Sequence, residues 1–255
     1  MRGVIKFLPK FMTERIKVFY YNSKQPGYKF SLKNNSYKTE TASWSIFSST
    51  PLYFITKEIE RYEQYYKIGR DDTVIDAGAF NGILSLVYAE KAKSGKVFSF
   101  EPDRKNLQGL DENLNLNGNP KNIQLIKEGL WSYRGEIKFY EAGSVASSSF
   151  YKAEDSQENI ISVTSLDNFV EENNIKKIDF IKMDVEGAEL NILKGARKML
   201  SNFKPNLSIA TYHLVEGELT YKSVEEFFKE MNYPCETVFF NDGEIITYAG
   251  PQIEN

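Results

Sequence analysis

The chain has a single cysteine, Cys235, and a single histidine, His213. A lone thiol forms no intrachain disulfide and builds no thiolate metal cluster, and a cytoplasmic, reducing compartment fits. Long apolar runs are missing too: none approaches the roughly 20 residues that span a bilayer. The opening MRGVIKFLPKFMTERIKVFYY carries charges through its middle, unlike the uninterrupted core of a signal peptide. A net positive charge is missing beyond the start. Residues 1–40 hold nine Lys/Arg against two acids, a surplus of +7, which leaves −10 on the remainder. So acidic a body argues against a nucleic-acid partner, because phosphate binding needs a clustered basic field.

What is present suffices for one well-cored domain with an N-terminal appendage: 255 residues, of which 41% are hydrophobic. Wound at about 100° per residue, the first twenty positions sort into two faces. Val4, Ile5, Leu8, Phe11, Met12, Ile16, Val18 and Phe19 share one, and Arg2, Lys6, Lys10 and Lys17 the other, with a kink expected at Pro9. Such a basic amphipathic helix either lies in an anionic membrane interface, making the protein peripheral to the membrane, or packs on the domain or a second subunit with its lysines solvated. Residues 22–50 read as a loop or weak strands, and 51–69 as a helix opening at Pro51 and ending at Gly69. The expected division is therefore a helical extension over 1–70 and a catalytic domain over 71–255.

From Asp71 onward short apolar strands alternate with helices. Strands are expected at 73–77, 96–101, 122–127, 178–184 and 205–211, and helices at about 82–93, 103–117, 165–174 and 188–200, the second capped by Asp103. Repeated βα units imply a doubly wound α/β sheet that binds its ligand at the carboxyl edge of the strands. EIKFYEA is strand-like, and CETVFF and IITYAG form a terminal hairpin around the Asn241-Asp242-Gly243 turn. The Ser-rich stretch 143–158 reads as a loop at the rim of the site.

The segment TVIDAGAFNGILS places Asp76 at a strand end, then Gly78 in a tight turn, then Gly82 at a helix start. It is not the dinucleotide fingerprint G-x-G-x-x-G, because Ala77 and Ala79 flank a single glycine. A carboxylate at the strand tip suits an ammonium or sulfonium ligand better than a phosphate. Glu101 ends the next strand, where an acid can accept from both ribose hydroxyls. Together these features point to a nucleoside-containing cofactor, and S-adenosylmethionine fits the charge and the glycine count best.

VIDAGAFNG, FSFEPD, TSLDNF and above all IKMDVEGAELNILKGA resemble the FkbM family of S-adenosylmethionine-dependent methyltransferases, over about residues 70–215. The resemblance implies the Rossmann-like class I methyltransferase fold, a seven-stranded sheet with an antiparallel terminal strand and helices on both faces. It also implies O-methylation, commonly of hydroxyls on sugars, lipid-linked glycans or natural products. By motif, Asp76, Gly78 and Gly82 would line the methionine end beside Ala79, and Glu101, followed by Pro102, the ribose. Glu128, Gly129 and Leu130 would meet the adenine, with Phe80 and Trp131 walling the pocket.

Asp184, Glu186 and Glu189 follow the fourth strand. Methyl transfer to a hydroxyl needs the acceptor held in line and its proton removed, and Asp184, at the switch point, is the first candidate. Glu186 is either functional or part of the turn, and Glu189 reads as a helix-start acid. A divalent metal held by Asp184, Glu186 and another oxygen ligand is the less favoured reading. His213, beside the same sheet edge, is a base or an orienter of the acceptor hydroxyl. Lys182 could pair with an acid or contact an anionic acceptor, and Tyr212 reads as packing. The other functional classes left open are a nicotinamide-dependent sugar oxidoreductase, which should show a second phosphate-binding glycine, and a non-catalytic cofactor-binding protein at a membrane. Acceptor identity and oligomeric state are not legible in the sequence.

Overall fold

The computed structural model describes residues 9–34, 36–141 and 157–253. Residues 1–8 of the basic segment, and the expected rim loop as far as residue 156, lie outside the described residues. Pro9 sits at the N-cap of α1 (Lys10–Lys24), so the described helix begins where a proline is tolerated. The strands β1 (Lys29–Lys33), β2 (Ser36–Glu40) and β3 (Ser45–Ser48) form an antiparallel sheet where the sequence left a choice between loop and weak strands. Their inward positions Phe30, Thr39 and Ile46 are aligned by register and buried, which gives the small sheet its apolar face. The described part of α1 is fastened to that sheet. Asn22 exchanges two hydrogen bonds with the Phe30 backbone, at 3.0 and 2.7 Å, and Tyr21 stacks on Tyr53 at 4.3 Å between centroids. No helix among the described residues is long and apolar enough to cross a membrane.

The helix expected over 51–69 is shorter, α2 (Thr56–Tyr62). Its last carbonyls are taken by side chains of the main sheet: Tyr248 donates to the Arg61 carbonyl at 2.9 Å and Ser208 to that of Tyr62 at 2.6 Å. Bonds that would continue the helix are thereby spent on docking it.

The α/β region follows as β4 (Thr73–Ala77), α3 (Ile83–Lys91), β5 (Lys96–Phe100), α4 (Arg104–Leu116), β6 (Ile123–Ile126), β7 (Gly129–Leu130), β8 (Gly135–Glu141), β9 (Gln157–Thr164), α5 (Leu166–Glu172) and β10 (Phe180–Met183). It ends with α6 (Glu189–Lys194), α7 (Arg197–Phe203), β11 (Asn206–Ala210), β12 (Leu214–Val215), β13 (Glu218–Leu219), α8 (Tyr221–Glu230), β14 (Cys235–Phe239) and β15 (Ile245–Ala249). Seven strands pair in the order β14-β15-β11-β10-β4-β5-β6, and β15 is antiparallel to both neighbours. The order reverses at β4, which creates the switch point, and the reversed last strand is the one the family resemblance implies. Asp103 caps α4 as expected, accepting from the backbone N–H groups of Lys105 and Asn106. The helix expected over 188–200 is instead two, α6 and α7. A Cβ on Gly195 would stand 2.5 Å from the Trp131 carbonyl, and the Asp167 carboxylate caps the new start by accepting from Lys198 and Met199.

Side chains alternate between the two faces of the sheet. Ile75, Phe98, Ile181 and Leu207 face α5 to α8, while Val74, Val97 and Phe180 face α3, α2 and the small sheet. Trp44, Ile46, Leu52 and Ile59 thus belong to the same apolar cluster as Ile83 and Val87. Ile46 is 0% exposed, so Ile46→Ala should remove about 2–5 kcal/mol of stability. Denaturant unfolding should show one transition at a lower midpoint; an unchanged main transition would mean that the small sheet unfolds separately.

Candidate active site

The register of the central strands sets the site. Ala77 lies level with Phe100 on one side and with Met183 on the other, so Gly78, Glu101 and Asp184 leave the sheet together at its carboxyl edge. They border a cavity whose empty space, counting the part open to solvent, is about 720 Å³. Gly78, at φ +77°, lets two chains touch: a Cβ there would lie 1.9 Å from the Asp184 carbonyl oxygen. Phe80, Pro102 and Asn106 continue the wall beside Glu101, and Val185, Glu186, Ala188 and Ile192 continue it beyond Asp184. The far end is apolar, made by Leu130 of β7, Ile137 and Phe139 of β8 and Ile161 of β9. Those three strands form a separate small sheet in the order β7-β9-β8.

Of the residues expected at the cofactor, Gly78, Phe80, Glu101, Pro102, Gly129, Leu130 and Asp184 line the cavity. Asp76, Ala79, Gly82 and Glu128 stand off its wall. Asp76 projects to the opposite face of β4, where it is 0% exposed; Oδ2 accepts from Ser85 at 2.5 Å and Oδ1 lies 3.3 Å from the Lys182 ammonium. Ala79 is held in the turn by its N–H donating to the Phe100 carbonyl, Gly82 is the N-cap of α3, and Glu128 pairs with Arg134 at 3.9 Å. Trp131 belongs to the apolar core beside β7. Lys182 contacts Asp76 as the sequence allowed, and also donates to the Gly78 carbonyl at 2.6 Å. Burial opposes its charge, yet Asp76, Asp184 and Glu58 hold its pKa above the ordinary value.

Glu101 is buried under the first βα turn. It accepts from the backbone N–H groups of Phe80 at 2.7 Å and Asp103 at 2.9 Å and from the Asn106 amide at 3.3 Å. Burial outweighs these bonds and pushes its pKa up to about 7.

The three acids after β10 are not equivalent. Asp184 accepts from the Tyr62 hydroxyl at 3.0 Å through Oδ2, and its Oδ1 lies 3.5 Å from Nε2 of His213. Glu186 lies 3.5 Å from the same nitrogen. Glu189 does open α6, but as a fully buried group: it accepts from the Gly187 N–H at 3.1 Å and contacts His213 Nδ1 at 2.8 Å. Burial alone would depress the His213 pKa, but the carboxylates of Glu186, Glu189 and Asp184 raise it to about 10. The carboxylates around the ring therefore favour its protonated form. Glu58, which burial raises to about 7, and Glu244 add negative potential around Asp184.

The pattern of the methyltransferase FkbM domain matches residues 76–235. The chain belongs to the FkbM methyltransferase family. It is 32% identical over 174 residues to hexuronic acid methyltransferase AglP of Haloferax volcanii, 68% of each chain being covered. Methyltransferase sdnD of Sordaria araneosa is 24% identical over 208 residues, with 69% of this chain and 80% of that one covered. The solved structure of methyltransferase FkbM from Methylobacillus flagellatus superposes with a TM-score of 0.55 at 24% identity, covering 73% of this chain and 45% of that protein. The present chain thus spans less than half of the Methylobacillus protein, whose likeness shows the fold.

Within this FkbM-family site, sequence reasoning missed Tyr62, Asn106 and the apolar wall. Ile137 and Phe139 carry the signal, an alternation in EIKFYEA, but the partner strand β9 is not among the expected strands. Asn106 was visible as a polar residue on the buried side of α4. Tyr62 carried none, since aromatic residues recur throughout 51–69. Gly78→Ala should cost about 1–3 kcal/mol or more through its left-handed φ and the clash with Asp184. Chemical denaturation checks it, and an unchanged midpoint would refute the close approach of the two turns.

Proposed function

We propose that the protein is an S-adenosylmethionine-dependent O-methyltransferase acting on a hydroxyl of a glycan or related small acceptor. The observation that carries this reading is the charge of the cavity. Glu101, Asp184 and Glu186 line it, and among the described residues no Lys or Arg does. A dinucleotide would bring a pyrophosphate with no cationic partner, whereas a sulfonium-ammonium ligand meets carboxylates. The lining fits as well: the backbone of Gly78 borders the acidic end, Glu101 is the acid that would accept from ribose hydroxyls, and Leu130 and Ile161 offer an apolar slot for adenine. When bound, this cofactor supplies an electrophilic methyl group. The chain's share is to hold the acceptor oxygen in line and to take up its proton. Asp184 stands at the cavity edge for that work, with one oxygen fixed by Tyr62. The sugar acceptor named for the Haloferax relative supports a glycan-like substrate. In this reading residues 71–255 carry the transfer chemistry, and residues 1–70 contribute Tyr62 and an outer wall.

Calorimetry should show S-adenosylmethionine binding and no NAD binding; NAD binding alone would overturn the proposal. Labelled cofactor incubated with glycan and lipid extracts should then deliver its methyl group to a sugar hydroxyl. Glu101 gives a pH signature. If the ionised carboxylate is the form that accepts from the ribose, the competent fraction rises about tenfold between pH 6 and 8. Cofactor affinity should tighten in step in the wild type, and Glu101→Gln should bind more weakly with a flatter profile. Equal slopes in the two proteins would remove Glu101 from the ribose.

A further inference from the structure

Asp184, Glu186 and His213 converge at the acidic end of the cavity, and one ligating atom of each lies within 4.8 Å of the others. The spacing is wrong for a hydrogen-bonded cluster. His213 Nε2 is 3.5 Å from Asp184 Oδ1 and 3.5 Å from Glu186 Oε2, beyond a good N–H···O bond. Nε2, Nδ1 and Asp184 Oδ1 are all buried and make no hydrogen bond of good geometry, although the ring is only 8% exposed and Nε2 stands 3.5 Å from both carboxylates. A buried nitrogen without a partner is costly unless something else fills the space. Behind the ring, Glu189, itself 0% exposed, contacts Nδ1 at 2.8 Å. A carboxylate in that position fixes the orientation of a histidine whose other nitrogen ligates a metal. Three carboxylates face a single imidazole here, so a cation is also favoured electrostatically.

We propose that Asp184, Glu186 and His213 form a divalent-cation site oriented by Glu189, and that the bound cation takes two neighbouring oxygens of the acceptor. Two carboxylate oxygens and one imidazole nitrogen suit an ion such as Mn²⁺. Three protein ligands leave coordination positions open, and these face the cavity, because Asp184 and Glu186 line it. The third ligand is a nitrogen from the loop after β11, not the oxygen that the sequence reading required for a metal cage. The inference rests on the O-methyltransferase reading: a cation on the acceptor oxygen lowers the pKa of the hydroxyl to be methylated, and chelation selects acceptors with adjacent oxygens.

Mn²⁺ added to the full chain, followed by the loss of the free-ion electron paramagnetic resonance signal, should bind one ion per chain. Glu186→Gln and His213→Ala should each weaken it at least tenfold, and Glu189→Gln by about ten- to a hundredfold. Circular dichroism and the thermal unfolding midpoint of each variant exclude a general loss of fold, and Glu186→Gln, at a part-exposed side chain, is the variant least exposed to that risk. No stoichiometric Mn²⁺ binding, or binding unchanged in both Glu186→Gln and His213→Ala, overturns the site. Cofactor binding without Mn²⁺ binding removes this inference and leaves the methyltransferase reading standing. Mn²⁺ binding without cofactor binding does the reverse.

Discussion

A lysine buried in the middle of the sheet holds the site's two turns in register. Lys182, only 3% exposed, lies 3.3 Å from Asp76, and its ammonium donates to the carbonyls of Gly78 at 2.6 Å and Ala77 at 3.3 Å. All of these groups sit at or just past the tip of β4, whereas Lys182 belongs to β10. Ser85 binds the other Asp76 oxygen, and Ser99 in turn donates to Ser85 at 2.8 Å. Replacing such a buried pair with apolar groups is often neutral, but removing one partner costs about 3–5 kcal/mol, because a charge is left without compensation. Its consequence is geometric: the carbonyls of Ala77 and Gly78 are held by Lys182, the N–H groups of Gly78 and Ala79 by the Phe100 carbonyl, and the Asp184 carbonyl fills the place where a Gly78 side chain would stand.

That polar row explains why one face of the sheet differs from the other. Ser99, Asp76, Lys182 and Ser208 are aligned across four adjacent strands by their registers. The alternate positions Phe98, Ile75, Ile181 and Leu207 are wholly apolar and face the helices α5 to α8. The polar row must be covered by groups that can satisfy it, and the N-terminal segment supplies them. The Tyr62 carbonyl accepts from Ser208, and the Tyr62 ring lies 5.7 Å from the Lys182 ammonium. Its hydroxyl then reaches Asp184 at 3.0 Å. One residue of the extension therefore closes the buried polar row and positions the carboxylate at the cavity edge.

Legibility in the sequence followed the range of the interactions. Strands such as Thr73–Ala77 and the Asp103 cap were readable, since apolar runs and caps are written in adjacent residues. The loss of one continuous helix at Gly195 was not, because the cause lies in the Trp131 carbonyl and the Asp167 cap, both distant in sequence. The same holds in the site. Gly78, Glu101 and Asp184 were found because each ends a strand, a local property. Asp76 was placed at the ligand by motif, and only the strand's alternation, combined with Lys182 on its neighbour, turns it inward. Glu189 was recognised as a helix-start acid, but its burial against His213 required the fold.

The family pattern begins at Asp76 and ends at Cys235, so it contains the cavity, all three acids after β10 and His213. Tyr62 lies before it. The lining of the cavity is thus built entirely from matched residues, while the hydrogen bond that fixes Asp184 comes from a segment the family pattern does not specify. Glu58 on the same helix adds its charge to the same carboxylate. Tyr62 and Glu58 thus bring the extension to the acidic side of the cavity, away from the apolar wall of Leu130, Ile137, Phe139 and Ile161. Loss of the Tyr62 hydroxyl alone would therefore release one oxygen of Asp184 while leaving the Lys182–Asp76 pairing beneath it in place.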